Sequence, residues 1–477
     1  MTWIVVTLLL VCVAGWRDSH FLFQSSAVTG VDGYYYFLQI ETLRNEGHLF
    51  FPTSAPLVLY LLTALSYLTQ DIVVAIKIGA VLMHLVMALG VMALIVAITR
   101  NVWFSLCGLL ITCFSGLHLY LISEFLSNLG ALAFLVWAAW ATTKFVQEKR
   151  RPWLILAVAL SLAAIFSHRS TMGLIVLNVF TISIAYLVTS ANFKDQYKFL
   201  ALAAALILFT LPLLLAWQPL FALPPQINQE VLRIPKLPFR QVDLMERWML
   251  VGVLVATLLV WFRYRRVSLD NTAGVVLVST ALWSFALTLN PFLNHHTGVE
   301  GIAGRLGIIS YLQVAIAVPL LLSVLFGLSK TVSLLAALFF LALLGLSCFA
   351  YFAPIPLALR PHYLQEREDL ARELPILRDR LCEKPFIVAR HGDEFLITAT
   401  LRIPSSSTPP IEPQECVFWL IYKPSTALAL APGTVVIPQS EFLLIDDQTL
   451  RPALRSLDRR EYRQLLVDNI HLRGIEF

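Results

Sequence analysis

Long apolar runs separated by short polar stretches occupy the first three quarters of the chain. A helix needs roughly 20 residues to cross about 30 Å of hydrocarbon. Eleven runs approach that length: 2–16, 73–98, 103–121, 127–146, 153–167, 172–190, 199–217, 247–262, 272–290, 306–327 and 331–352. The pattern therefore predicts about eleven transmembrane helices. One further run, 56–69 (PLVLYLLTALSYLT), is shorter and follows Pro52 and Pro56, so it reads as a helix lying at the membrane surface. The first run is apolar like a signal peptide, but it lacks a basic leader and an obvious cleavage site, so a retained helix is expected.

From about residue 353 the period changes. FIVAR, EFLITATLRI, CVFWLIY and TVVIP read as strands. HYLQEREDLARELPILRDRL and RSLDRREYRQLLVDNI read as amphipathic helices. The expected fold class is an all-α polytopic membrane domain over 1–352, with a first outer loop at 17–72, followed by a small mixed α/β domain over 353–477.

Composition agrees. Of 477 residues, 58% are hydrophobic and only 14% charged, and the mean hydropathy is +0.75. A soluble fold could not hide that much apolar surface, whereas lipid solvates helix exteriors. The net charge of +5 is small and gives no nucleic-acid signal. Its placement decides the topology. If 56–69 does not cross, the inner loops carry eleven basic residues against three acids, and the outer loops seven against ten. This is the positive-inside asymmetry. It sets the N-terminus in the cytoplasm and the C-terminal domain outside. Short inner loops and the lack of an Asn-x-Ser/Thr site fit a bacterial inner membrane.

Cys12, Cys107, Cys113 and Cys348 lie in apolar runs and read as inert core residues. Cys382 and Cys416 lie in the polar tail, where they either pair or remain free thiols.

The candidate chemistry gathers on the outer face. Asp32 stands before the tyrosine cluster in GVDGYYYF. An acid there can act as a general base, and Tyr34 and Tyr35 can stack on a sugar. The structural alternative is that Asp32 caps the following helix. Glu124, in LISEFLSNLG, is a second acid that either shares a pocket with Asp32 or caps the next helix. Lys77 near the outer end of 73–98, His168 and Arg169 in FSHRSTMG, and Arg305 in GIAGRLG are basic groups suited to a phosphate. Snorkelling to lipid headgroups is their alternative. His295, His296 and Glu300 are substrate-binding candidates whose spacing is not diagnostic of a metal. Arg390, His391, Gly392, Asp393 and Glu394 read as a turn or surface loop.

Taken in order over most of 1–325, GVDGYYYF, FPTSAPLVLYLLTALSYL, AIKIGAVL, LISEFLSNLG, FSHRSTMG and GIAGRLGIISYL resemble the GT-C superfamily of membrane glycosyltransferases. That superfamily includes protein O-mannosyltransferases, lipid A aminoarabinose transferases and oligosaccharyltransferase catalytic subunits. The resemblance implies a GT-C-like fold and an inverting transferase that uses a polyprenyl-phosphate-linked sugar. It implies a lipid, glycan or protein acceptor on the extracytoplasmic face, with membrane lipid and no nucleic acid among the partners. It makes Asp32 the catalytic base and Glu124 the second acid, and gives Lys77, His168, Arg169 and Arg305 the donor phosphate. A divalent cation, Mg or Mn, is compatible with it. The chain departs from the family in having Glu124 alone instead of paired acids, SHRS in place of a lysine-bearing motif, and no tryptophan-led acceptor motif in the tail. The competing classes are a transporter or lipid flippase, which should carry ionisable groups at mid-bilayer, and a non-catalytic protein of the same fold.

Overall fold

The structure is a computed structural model. It describes residues 2–168, 171–189, 310–352 and most of 359–472, with isolated residues between 249 and 282. Arg169, His295, His296, Glu300 and Arg305 lie outside the described residues, as do nearly all of the predicted spans 199–217, 247–262 and 272–290.

The apolar runs fold as helices: α1 (Thr2–Leu22), α4 (Ile72–Thr99), α7 (Leu126–Glu148), α8 (Arg151–Ser167), α9 (Thr171–Thr189), α10 (Ser310–Leu328) and α11 (Lys330–Phe352). Among the described residues, α1, α4 and α7 are long and apolar enough to cross a membrane, and the others carry shorter apolar stretches. On α1 the side chains of Val5, Leu8, Leu9, Val13 and Trp16 are bare of protein cover. Lipid would solvate that stripe. Cys12 belongs to it and is exposed, so it is not the core residue expected from its apolar run.

α4 is apolar on all sides. It packs against α1, α7, α10 and α3 (Leu57–Thr69), the last of these being the short helix predicted at 56–69. The first loop also holds α2 (Gly33–Glu46).

The predicted span 103–121 is broken. α5 (Val102–Phe114) ends in extended backbone at Ser115, and the chain resumes as α6 (His118–Ser123). Ending α5 early leaves the carbonyls of Thr112 and Cys113 beyond its last intrahelical bond. Buried side chains take them instead: His84 Nε2 bonds Thr112 O at 3.1 Å and Arg17 donates to Cys113 O. The Ser115-Gly116 pair at the break is a turn signal that a reading by span length passes over.

The tail is a three-layer α/β domain. Its five-stranded sheet has the order β2-β1-β3-β5-β4, where the strands are β1 (Phe386–Val388), β2 (Ser405–Ser406), β3 (Val417–Tyr422), β4 (Val435–Val436) and β5 (Phe442–Asp446). β1 runs parallel to β2 and β3, and β5 antiparallel to β3 and β4. Alternation along β3 sends Leu420 and Tyr422 into one core and Trp419 and Ile421 into the other. The predicted amphipathic helix divides at Pro375 into α12 (Pro361–Glu373) and a 3₁₀ turn. EFLITATLRI is a helix, α13 (Asp393–Leu401), not the predicted strand. Its apolar residues Leu396, Ile397 and Leu401 share one buried face, and Asp393 and Glu394 sit favourably at its positive end. Cys382 and Cys416 are bonded, tying the entry of β1 to that of β3.

Candidate functional site

Asp32 is the residue before α2, but its carboxylate makes no capping bond to that helix. Two glycines explain where it points. Gly30 has φ +97°, and a Cβ there would lie 1.8 Å from Ser123 O, so the first loop lies flat against the α6–α7 turn that carries Glu124. Gly392 has φ +96°, and a Cβ there would meet Val31 O at 2.7 Å. Gly30, Val31 and Asp32 are thus held between the Glu124 turn and the 390–394 turn of the tail domain. Only glycine permits both the backbone angle and the approach.

The tail turn is not a free surface loop, as the sequence suggested. His391 Nε2 lies 3.2 Å from Asp32 Oδ1, and its Nδ1 lies 2.9 Å from Glu394 Oε1. Both partners are acceptors, so both ring nitrogens carry protons. These two carboxylate hydrogen bonds, that to Asp32 first, push the imidazole up to about 10 despite partial burial. The Asp32 carboxylate keeps 28% of its surface open.

Arg367 of α12 locks this crossing. It is fully buried and donates at 2.6 Å both to Gly30 O and to Gly392 O, with Asp393 Oδ1 3.8 Å away. Its guanidinium lies 5.4 Å from the ring centres of Tyr34 and Tyr363. A second fastening sits at the next residue. Glu368 accepts from Ser26 N, Ser26 Oγ and Ala27 N at 2.7, 2.8 and 3.2 Å, and from Ser25 Oγ. These bonds, Ser25's foremost, lower its pKa. Burial pushes Tyr363 up to about 12, and the charge of Glu124 is close enough to add to the effect.

The other predicted residues take varied places. Lys77 is buried in α4, donates to Ser25 O at 2.6 Å and lies 5.3 Å from the Phe23 ring centre, so it anchors the first loop. Tyr34 packs against both the helical core and the tail core. Tyr35 stacks on Phe51, meets Phe395 of α13 edge-on and accepts from Gln39. His168 closes α8 at its turn into α9.

Asp32 and Glu124 belong to neither group of convergent metal-type side chains among the described residues, which are Asp18, His84 and His118, and His362, Glu366 and Glu441. Sequence reasoning missed His391 and Arg367. A polar HGDE turn beside a predicted strand offers no signal that it faces another domain. It also missed Asp18, which the length of α1 carries into the protein interior.

No family model matches the chain, and no curated protein matches it in sequence. A solved structure does match in fold: the Archaeoglobus fulgidus oligosaccharyltransferase, crystallised with a disulfide-tethered acceptor peptide containing the NVT sequon, at 10% identity and a TM-score of 0.52. The likeness covers 84% of this chain and 63% of the archaeal one, so this chain spans less than two thirds of that protein's length. The likeness shows that the two chains share an overall fold.

Proposed function

We propose that this protein is an integral membrane glycosyltransferase that moves a sugar from a polyprenyl-phosphate donor to a lipid, glycan or protein acceptor on the extracytoplasmic face. The observation that carries the reading is the part-exposed Asp32 carboxylate, held where the first loop, the Glu124 turn and the tail domain cross.

In this reaction the acceptor oxygen or nitrogen forms a bond to the anomeric carbon while the bond from that carbon to the phosphate oxygen breaks on the opposite face. Configuration inverts, and polyprenyl phosphate leaves. Asp32 takes the acceptor's proton. His391 acts as a positioning residue, directing one carboxylate oxygen and leaving the other for the acceptor. Glu124 orients the acceptor from the adjoining turn. Arg305, Arg169, His168 and Lys77 offset charge developing on the leaving phosphate. Lys77 retains two N–H donors beyond the one given to Ser25. Holding donor and acceptor in line supplies much of the rate.

The decisive experiment is purified protein with labelled polyprenyl-phosphate sugars and a panel of acceptors. Transfer by the wild type and a loss of about 10²-fold or more in Asp32→Asn support the assignment. Full transfer by a normally folded Asp32→Asn protein removes Asp32 as base. A wild type that transfers none of the sugars and instead moves lipid between leaflets of a vesicle makes the protein a flippase.

A further inference from the structure

Among the helices, the side chains of Asp18, His84 and His118 meet with essentially no solvent. One ligand-type atom from each lies within 4.8 Å of the other two. We propose that they form a binding site for a divalent transition ion of the zinc class, separate from the sugar-transfer chemistry at Asp32.

The outer ring nitrogens carry the argument. His84 Nε2 faces Thr112 O at 3.1 Å, and His118 Nδ1 faces Ser115 O. Carbonyls only accept, so each of these nitrogens donates, and the other nitrogen of each ring is turned inward. The inner nitrogens, His84 Nδ1 and His118 Nε2, face the two oxygens of one carboxylate at 2.6 and 3.0 Å. With no ion present, a hydrogen bond joins His84 to the carboxylate and Arg17 lies beside His118. A divalent ion takes their place, with the two inner nitrogens and the carboxylate as its ligands. Fixing the outer ring N–H on a backbone carbonyl is also how metal-binding histidines are commonly oriented. Imidazole with carboxylate suits zinc and its neighbours better than magnesium or calcium. The three side chains leave a fourth position open.

Arg17 is the competitor. Its Nη2 lies 2.7 Å from His118 Nε2 and 3.1 Å from Asp18 Oδ1, where it supplies positive charge when no ion is bound. Among the described residues Arg17 Nε has no hydrogen-bond partner, and the guanidinium already lies 4.9 Å from the Phe114 ring centre, so it has somewhere to withdraw. The break between α5 and α6 is what frees the carbonyls that orient both rings, so the site and the broken helix are one feature.

The test uses the full chain purified in detergent, stripped with a chelator, reloaded with Zn²⁺ or Co²⁺ and dialysed. The expected result is one equivalent retained per chain, with intense visible Co²⁺ bands of a four-coordinate site. Retention falls to background in Asp18→Asn, His84→Gln and His118→Gln proteins that remain monodisperse, and Arg17→Gln tightens binding at least about tenfold. Retention persists in a His362→Ala, Glu441→Gln double variant, which removes the other convergent group. Should the ligand variants fail to fold, X-ray absorption at the zinc edge of the wild type decides: two imidazoles in the first shell support the site, and a shell of oxygens alone overturns it. A wild type that retains no ion, or retention that the His84 and His118 variants leave unchanged, also overturns it. All of these readouts are independent of transferase activity.

Discussion

Two aspartate–histidine centres occur among the described residues, and solvent separates their chemistry. At the seam, Asp32 and His391 are joined across 3.2 Å with both side chains partly exposed. Inside the helical domain, Asp18 meets His84 and His118 at 2.6 and 3.0 Å with no exposure to speak of. The exposed pair can meet a substrate and exchange a proton with it. The buried group can reach neither, so every polar atom there must be satisfied by another protein group or an ion. A single residue pairing thus serves as candidate catalytic apparatus in one place and as part of an internal framework in the other. The difference comes from where the chain is interrupted: by glycines at the seam, by a broken helix in the interior.

The comparison can be broken most severely at Arg367. Arg367→Ala removes the two buried charge-assisted bonds that hold Gly30 to Gly392 and should cost about 3–5 kcal/mol, while Asp393 keeps its bond to Arg390. Limited proteolysis should then cut between the tail and the helical domain, while the Asp18 centre stays intact. Gly30→Ala forces a side chain into both a left-handed backbone and Ser123 O, a strain of order 1–3 kcal/mol. It should lower the midpoint of thermal unfolding and displace Asp32, with transfer falling more than stability.

His391 sharpens the comparison through pH. Its pKa rises from the ordinary 6.5 to about 10 in the folded protein. The docking it provides is therefore complete below pH 6.5 and is lost progressively as pH rises towards 10. Thermal unfolding of the wild type should show that decline, and His391→Gln should flatten it. A decline unchanged in His391→Gln would place the titrating group elsewhere. The smallest effect is expected at Glu41–Arg402, which also joins the first loop to the tail but with the arginine half exposed. Arg402→Gln should change stability by at most about 1 kcal/mol and lose even that at high salt.

Much of this architecture was legible in the order of residues. Hydropathy located α1, α4, α7 and α8 to within a few residues, except that α1 runs on to Leu22 and so carries Asp18 inward. The same reading placed the short α3, β1, β3 and β4, and marked Asp32 and Glu124 as acids on turns. It failed where local pattern and packing disagree. FLITATL has strand-like residues, yet its apolar face is buried only as a helix between sheet and first loop. The interruption at Ser115 is marked only by the Ser115-Gly116 pair, and the apolar residues on either side add up to the length of one span. HGDE is an ordinary polar turn until Val31 lies against it.

By itself, then, the sequence determined which segments must leave water, because burial of apolar surface depends on composition and period alone. It also determined which few acids and bases stand at their ends. Only the tertiary structure decided that Asp32 would meet His391 and that Asp18 would meet His84 and His118. These partners lie 66 or more positions apart along the chain, and contacts between distant charged groups depend on how helices and domains pack, which no local periodicity records.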